Sequence, residues 1–234
     1  MAAPLEYPFG TVNIETAGRW LHLAPEEDRE VWMLNLMKYK PVAEYGDAGG
    51  PAISGREADD IYAPTAVLAD LGATVPLFGD VTGQVTADVA WERIGIVRYP
   101  SRASFFAMQE RVDFQKQYVH KKAGMETTIV MGCVPVSVAD PAAAGSGPVV
   151  MRVRRFAEGR TPGADPDSVV PVARFEVDGV ILGDGRVWDD VCFDRVDDAG
   201  LPALVGSEGV AEQIVVVVDP LIEDLIGSVT TVGE

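Results

Sequence analysis

Arginine and carboxylate residues on alternating positions of short apolar runs are the side chains of this sequence best placed to do chemistry. Arg152 and Arg154 alternate with Met151 and Val153, Arg174 and Glu176 with Ala173 and Phe175, and Asp190 and Asp194 with Val191 and Phe193. Asn35 and Arg93 hold similar places in two earlier runs. Arginine and carboxylate at this density can pair with each other. Beside Trp91, Trp188 and Tyr39, such a lattice suits a small ligand bearing a carbonyl or carboxylate. Arg152 and Arg154 would stabilise an enolate-like oxyanion, and Glu176, Asp194 or a histidine would move the proton. The sequence holds two histidines, His22 and His120, and histidine is the side chain best poised for proton transfer near neutral pH. His120 stands beside Lys121 and Lys122 at the end of a helical stretch, where a cation is also favoured by the helix dipole. His22 reads as ordinary surface.

Other chemistry finds no support. Cys133 and Cys192 lie far apart and fit no metal or redox motif, so they read as buried thiols. The Gly79–Gly83 spacing is hairpin chemistry rather than a dinucleotide or phosphate loop. No metal and no cofactor is expected.

These residues need strands and helices to position them. VWMLNLMKY (31–39) is an apolar run of strand length. Ser54 and Glu57 make a capping box for a helix ending at Gly72, which Pro64 must kink or restart. A strand or hairpin follows at 74–85 and a strand at 91–99, Pro100-Ser101 caps a helical stretch over 102–122 in one piece or two, and 125–133 is a strand. The order is β-α-β-β-α-β, the ferredoxin-like pattern. The pattern restarts after the Ala-, Gly- and Pro-rich segment 138–148, with strands at 149–156, 172–182, 187–196 and 214–219, a helix candidate at 198–210 and a closing element at 221–229. W-E-R-I-G-I-V-R at 91–98 lies over W-D-D-V-C-F-D-R at 188–195 as a weak internal repeat. The second copy lacks most of its first helix and carries the loop GRTPGADPDS (159–168) instead, a length and composition suited to gating a pocket. The expected organisation is an α+β chain: an arm (1–30), a ferredoxin-like unit (31–137), a linker (138–148) and a divergent second unit (149–234). Their sheets pack into one barrel within the chain.

Strand alternation then assigns faces. Leu34, Leu36, Ile94, Ile96, Met151, Val153, Val191 and Phe193 are the apolar set expected under helices. The opposite phase places Asn35, Tyr39, Trp91, Arg93, Tyr99, Arg152, Arg154, Arg174, Glu176, Trp188, Asp190 and Asp194 in the barrel interior, as a substrate pocket. A slip of one residue reverses every one of these assignments. The competing reading is a second sheet that faces water and carries its charges as a solvated face.

The runs VWMLNLMKYK, WERIGIVRYPSRASFFAM and HKKAGMETT, over residues 30–133, resemble a bacterial family of unknown function in the dimeric α/β-barrel superfamily. Its best motif is strand, Y-P-S-R, helix, then a histidine near the helix end. The resemblance implies two ferredoxin-like sheets packed face to face, and a catalytic role for His120. Relatives include cofactor-free monooxygenases, lactone isomerases, cyclases, dehydratases and haem enzymes. The second half resembles the family only through the repeat.

The net charge of −17 is spread over both halves, since residues 148–234 carry 7 basic and 17 acidic groups and residues 1–147 carry 12 and 19. Such a field repels phosphate backbones and anionic lipid, so no nucleic acid or membrane partner is expected. With no leader-like start and no long apolar run, a cytoplasmic location is expected. The expected function is cofactor-independent proton transfer on a small molecule, such as cyclisation, isomerisation or dehydration. The alternatives are a cofactor-free monooxygenase of an electron-rich aromatic, and a non-catalytic small-ligand binding protein. The barrel needs no partner chain, and further self-association is left open.

Overall fold

A computed structural model describes residues 6–140, 148–196 and 200–230. The chain runs β1 (Thr11–Val12), α1 (Ile14–Leu21), β2 (Val31–Tyr39), α2 (Gly55–Tyr62), α3 (Thr65–Asp70), β3 (Thr74–Thr86), β4 (Arg93–Tyr99), α4 (Arg102–Glu110), α5 (Val112–Gly124) and β5 (Met125–Val138). It continues with β6 (Val149–Phe156), β7 (Val170–Gly183), β8 (Asp190–Arg195), β9 (Val210–Glu223) and α6 (Leu225–Thr230). Most of the expected linker lies outside the described residues, as do residues 198 and 199 of the second helix candidate, where only a 3-10 turn at Leu201–Leu204 is seen.

Eight antiparallel strands close on themselves in the order β7-β5-β2-β4-β3-β9-β6-β8, and β8 pairs back onto β7. Closure removes the sheet edges, and β1 adds a two-residue pairing on β7. The order among the strands of residues 31–138 is β5-β2-β4-β3, and among those of 149–223 it is β9-β6-β8-β7. Each is fourth-first-third-second in chain order. No helix of the described residues is long and apolar enough to cross a membrane.

The barrel interior is apolar, and the predicted phase is inverted. Leu34, Leu36, Ile94, Ile96, Met151, Val153, Val191 and Phe193 form one buried cluster to which all eight strands contribute and α1–α5 contribute nothing. Those residues fill the barrel instead of lying under helices. Leu225 of α6 joins the same cluster and closes one mouth. Trp91 and Trp188 precede β4 and β8, which four antiparallel steps leave running in the same direction, so both indoles stand at the opposite mouth. The physical reason is enclosure. The interior of an eight-stranded barrel is narrow enough for side chains to fill, and in this one they do, so charges there would be stripped of solvent without relief.

Local rules read from the sequence govern the helices. Ser54 caps α2 with Glu57 in a reciprocal box, Pro64 ends α2 and restarts the chain as α3, and Gly72 stops α3 at φ +70°. Ser101 caps α4, and Arg111 in extended backbone splits α4 from α5. The expected arm holds a helix that the sequence reading missed. Asn13 accepts a hydrogen bond from the Thr16 amide at 3.0 Å, and the α1 residue Trp20 lies on Gly132, where a Cβ would stand 2.6 Å from the indole.

Asp178 of β7 ties α1 and α4 to the sheet, accepting from Arg19 at 2.7 Å and from Arg102 at 2.6 and 2.9 Å. Burial pushes its carboxyl up, but the hydrogen bonds from Arg102 and Arg19 outweigh that and hold it below the usual carboxylate range. A folded-state value below the unfolded one contributes stability above about pH 4, which is lost as pH falls through the folded value. Asp178→Asn is therefore expected to lower stability at pH 7 and to flatten the acid limb of the stability curve. Urea titrations from pH 7 to pH 2 check this, and an unchanged acid limb would reject it.

Candidate functional site

The outer face of β2, β4 and β5 is roofed by α2–α5, and a cavity of about 420 Å³ lies between. Met33, Met37, Gly95, Val97 and Val130 form its sheet wall. In α5, Phe114, Tyr118 and Lys121 fall at i, i+4 and i+7, so one helical stripe faces the sheet and all three line the cavity. Phe105 and Phe106 of α4 and Tyr62 of α2 complete an aromatic lining. The N-terminal segment closes one side. Tyr7 packs edge-on against Tyr118 with ring centroids 5.9 Å apart, and the Tyr118 hydroxyl donates to the Glu6 carbonyl at 2.9 Å. Helices α2 and α5 cross at Gly55 and Gly124, where a Cβ on either would stand 2.2–2.4 Å from the other's carbonyl oxygen.

One end of the cavity is polar. Arg93, 4% exposed, donates to Asp60 at 2.8 Å, to Asp80 at 3.2 Å and to Asp59 at 3.4 Å, and its guanidinium lies 4.9 Å from the Phe78 ring centroid. The Tyr39 hydroxyl donates to Asp59 at 2.6 Å, and burial together with that carboxylate drives its pKa far up. Asp59 and Asp60 face the cavity, as does Asn35, whose amide donates to the Met33 carbonyl at 3.1 Å.

Lys121 is the remaining charged group of the lining. Lys38, Lys40 and Lys122 pair with Glu126, Glu44 and Glu6, and Lys116 is exposed. Lys121 makes no ion pair among the described residues, and its Nζ lies 5.0 Å from the Tyr62 ring centroid. Burial pulls its pKa below the usual lysine value, with the Asp59 carboxylate opposing.

The predicted site residues separate into three places. Asn35 and Tyr99 line the cavity, and Tyr39 and Arg93 join it through Asp59 and Asp60. Trp91 and Trp188 are inside the barrel, and their indole N–H groups are buried without a hydrogen-bond partner. Arg152, Arg154, Arg174, Asp190 and Asp194 lie together on the outer face of β6, β7 and β8, where Asp165 of the segment between β6 and β7 reaches Arg152 and Arg154. Arg152 donates to Asp194 at 2.8 Å and with both terminal nitrogens to Asp165 at 2.6 and 2.9 Å. Arg154 forks onto Asp190 at 2.9 and 2.6 Å, and Arg174 reaches Asp190 at 3.0 Å.

Four expectations are corrected here. The charged lattice stands outside the barrel: Arg152, Arg154, Asp190 and Asp194 are buried there, Arg174 is partly exposed, and Asp165 of the segment between β6 and β7 reaches over Arg152. That segment is a cover and not a gate: Asp165 grips Arg152, the Gly163 amide donates to the Glu208 carbonyl at 2.9 Å, and none of its residues lines the cavity. Glu176 stands opposite Asp190 on the β7–β8 ladder but is exposed and makes no ion pair with the lattice among the described residues. His120 faces away from the cavity, with its Nδ1 2.8 Å from the Tyr45 hydroxyl, because its neighbour Lys121 takes the inward stripe. The i, i+4, i+7 run of Phe114, Tyr118 and Lys121 was the signal that would have found the lysine.

The described residues hold no group of three or more His, Cys, Asp or Glu side chains disposed to bind a metal ion. Fold and site together define an α+β protein with a closed eight-stranded antiparallel barrel and a helix-roofed cavity on its outer face. Similar solved structures include a protein of unknown function from Rhodopseudomonas palustris, 25% identical, at a TM-score of 0.46 over 53% of this chain and 95% of that one. A mutant chlorite dismutase from Candidatus Nitrospira defluvii, 9% identical, gives a TM-score of 0.43 over 87% of this chain and 94% of that one. No protein-family model matches the chain, and no curated protein matches it.

Proposed function

We propose that the chain binds a small, largely apolar molecule in the cavity between the β2-β4-β5 face and α2–α5, and carries out proton transfer on it without a cofactor. The cavity carries this reading: about 420 Å³ of aromatic- and methionine-lined space with a few polar groups at one end. Proton transfer would fall to Lys121. An amine whose pKa is lowered by burial is a base closer to neutral pH than a free lysine. Isomerisation, cyclisation or dehydration of an enolisable molecule is the reaction class, and the site replaces the lattice of the second half. The same architecture reads as two ferredoxin-like units in tandem, the second stripped of its first helix. The matching strand orders of the two halves and the paired positions of Trp91 and Trp188 support that division.

Val97 on the sheet wall tests the cavity. Val97→Trp should fill it and weaken binding of the uncharged fluorophore N-phenyl-1-naphthylamine at least about tenfold, a difference of ~1.4 kcal/mol, without lowering the thermal midpoint. Unchanged binding in a folded variant would reject this site. The chemical step is checked by deuterium exchange at the α-carbon of small aryl ketones. Lys121→Met should slow it by about 10²–10⁴-fold, and equal exchange by both proteins would leave a carrier without catalysis.

A further inference from the structure

We infer that Lys121 is an amine nucleophile that captures an aldehyde or ketone group of an apolar molecule seated in the cavity, forming a covalent imine. This deepens the proposed function and rests on its reading of the cavity.

Placement is the first ground. Lys121 sits one turn beyond Tyr118 on the buried stripe of α5, with Phe114, Tyr118 and Tyr62 around it, so an apolar carbonyl compound that enters lies beside the amine. The second ground is the absence of an ion-pair partner among the described residues, in a protein where three of the other four lysines are paired. An ammonium held by a carboxylate is no nucleophile, whereas an unpaired amine in an apolar surround keeps its lone pair available. Burial pulls the pKa of Lys121 down and adds to that availability. The charged groups facing it are Asp59 and Asp60, and both are engaged by Arg93.

The step is balanced without a further reagent. The amine lone pair forms a C–N bond to the carbonyl carbon while the C=O π electrons move to oxygen. The nitrogen then loses its two hydrogens, and the oxygen departs with them as water, leaving C=N. Carbonyl compounds with an aryl or alkyl body are the ligand class, since the lining offers rings and thioethers to that body and a single amine to its polar end.

The experiment exposes the folded protein to 2-naphthaldehyde with cyanoborohydride at pH 7.5 and follows intact mass and peptide masses. The expected result is one addition per chain, equal to the aldehyde less one oxygen atom, mapped to Lys121. It should form at least about tenfold faster than at Lys122, and that preference should vanish in urea. Lys121→Arg keeps the charge and should abolish the fast addition. Binding of the non-carbonyl analogue 2-naphthalenemethanol, measured in parallel, separates the failures. Fast selective labelling that Val97→Trp suppresses supports the imine. If the alcohol binds but Lys121 labels no faster than Lys122, the imine is overturned and the cavity reading stands. If neither compound binds, both fall.

Discussion

Replacing Arg152 by methionine is expected to cost about 3–5 kcal/mol of folding stability, the range for breaking a buried pair by removing one partner. Arg152 is fully buried, and its guanidinium spans Asp194, itself 2% exposed, and Asp165. Its loss leaves Asp194 without its hydrogen-bonded cation in a place water does not reach. Burial already pushes the Asp194 carboxyl up, with the Arg152 charge opposing. In the variant this carboxyl should therefore take up a proton, and the loss should shrink as pH is lowered towards the raised value. Asp165 is less affected, because its side chain is 30% exposed and can turn to solvent. Changing both Arg152 and Asp194 to apolar residues of similar size should recover most of the loss, since a well-packed apolar pair is often as stable as the ion pair it replaces. Urea denaturation of the single and double variants checks both statements. A single-variant loss below about 1 kcal/mol would place this lattice among solvated surface pairs.

That lattice also shows how far the sequence could be read. Alternation correctly grouped Arg152, Arg154, Asp190 and Asp194 on one face, because period-two geometry is a local property of a strand. Which face turned inward was not local. In β2 both phases are apolar, Leu34 and Leu36 on one side and Met33 and Met37 on the other. Pattern alone does not rank them. The deciding fact is topological: β8 pairs with β7, the barrel closes, and its narrow interior is filled by one apolar cluster, where unpaired charges would lose their solvent. Helix limits were legible for the opposite reason, since Ser54, Pro64, Gly72 and Ser101 act through hydrogen bonds and dihedrals within a few residues.

The candidate site was half legible. Asn35, Tyr39, Arg93 and Tyr99 were chosen as inward residues and gather at the cavity from the other side of the same sheet. Naming His120 as the proton carrier followed residue chemistry and ignored helix phase. One residue along α5 turns a side chain by about 100°, so the two neighbours cannot share a face. Lys121, to which the proposed proton transfer falls, lines the cavity with Phe114 and Tyr118. Asp59 and Asp60 were not found, because they reach Arg93 from α2, across more than thirty residues of chain.

Arg93→Met is the second large effect, and it links stability to the site. Arg93 holds three carboxylates from α2 and β3 with its Nε and one terminal nitrogen. The variant leaves Asp59, 6% exposed, with the Tyr39 hydroxyl as its remaining hydrogen-bond donor, and a loss of about 3–5 kcal/mol is expected. Arg93→Lys should recover only part of it, because a single ammonium cannot reproduce a planar fork directed at three acceptors. The site should change with it. Removing the guanidinium takes a positive charge from the neighbourhood of Lys121 and leaves Asp59 uncompensated, so the amine's pKa rises and more of it is ammonium near pH 7. Aldehyde capture at Lys121 should then slow at pH 7.5 and recover as pH is raised, while 2-naphthalenemethanol binding changes much less. Parallel loss of both at every pH would mean that α2 has come away from the sheet and that Arg93 holds the roof only. Slower capture that returns at higher pH would show the four groups Arg93, Asp59, Asp60 and Lys121 acting as one electrostatic unit at the polar end of the cavity.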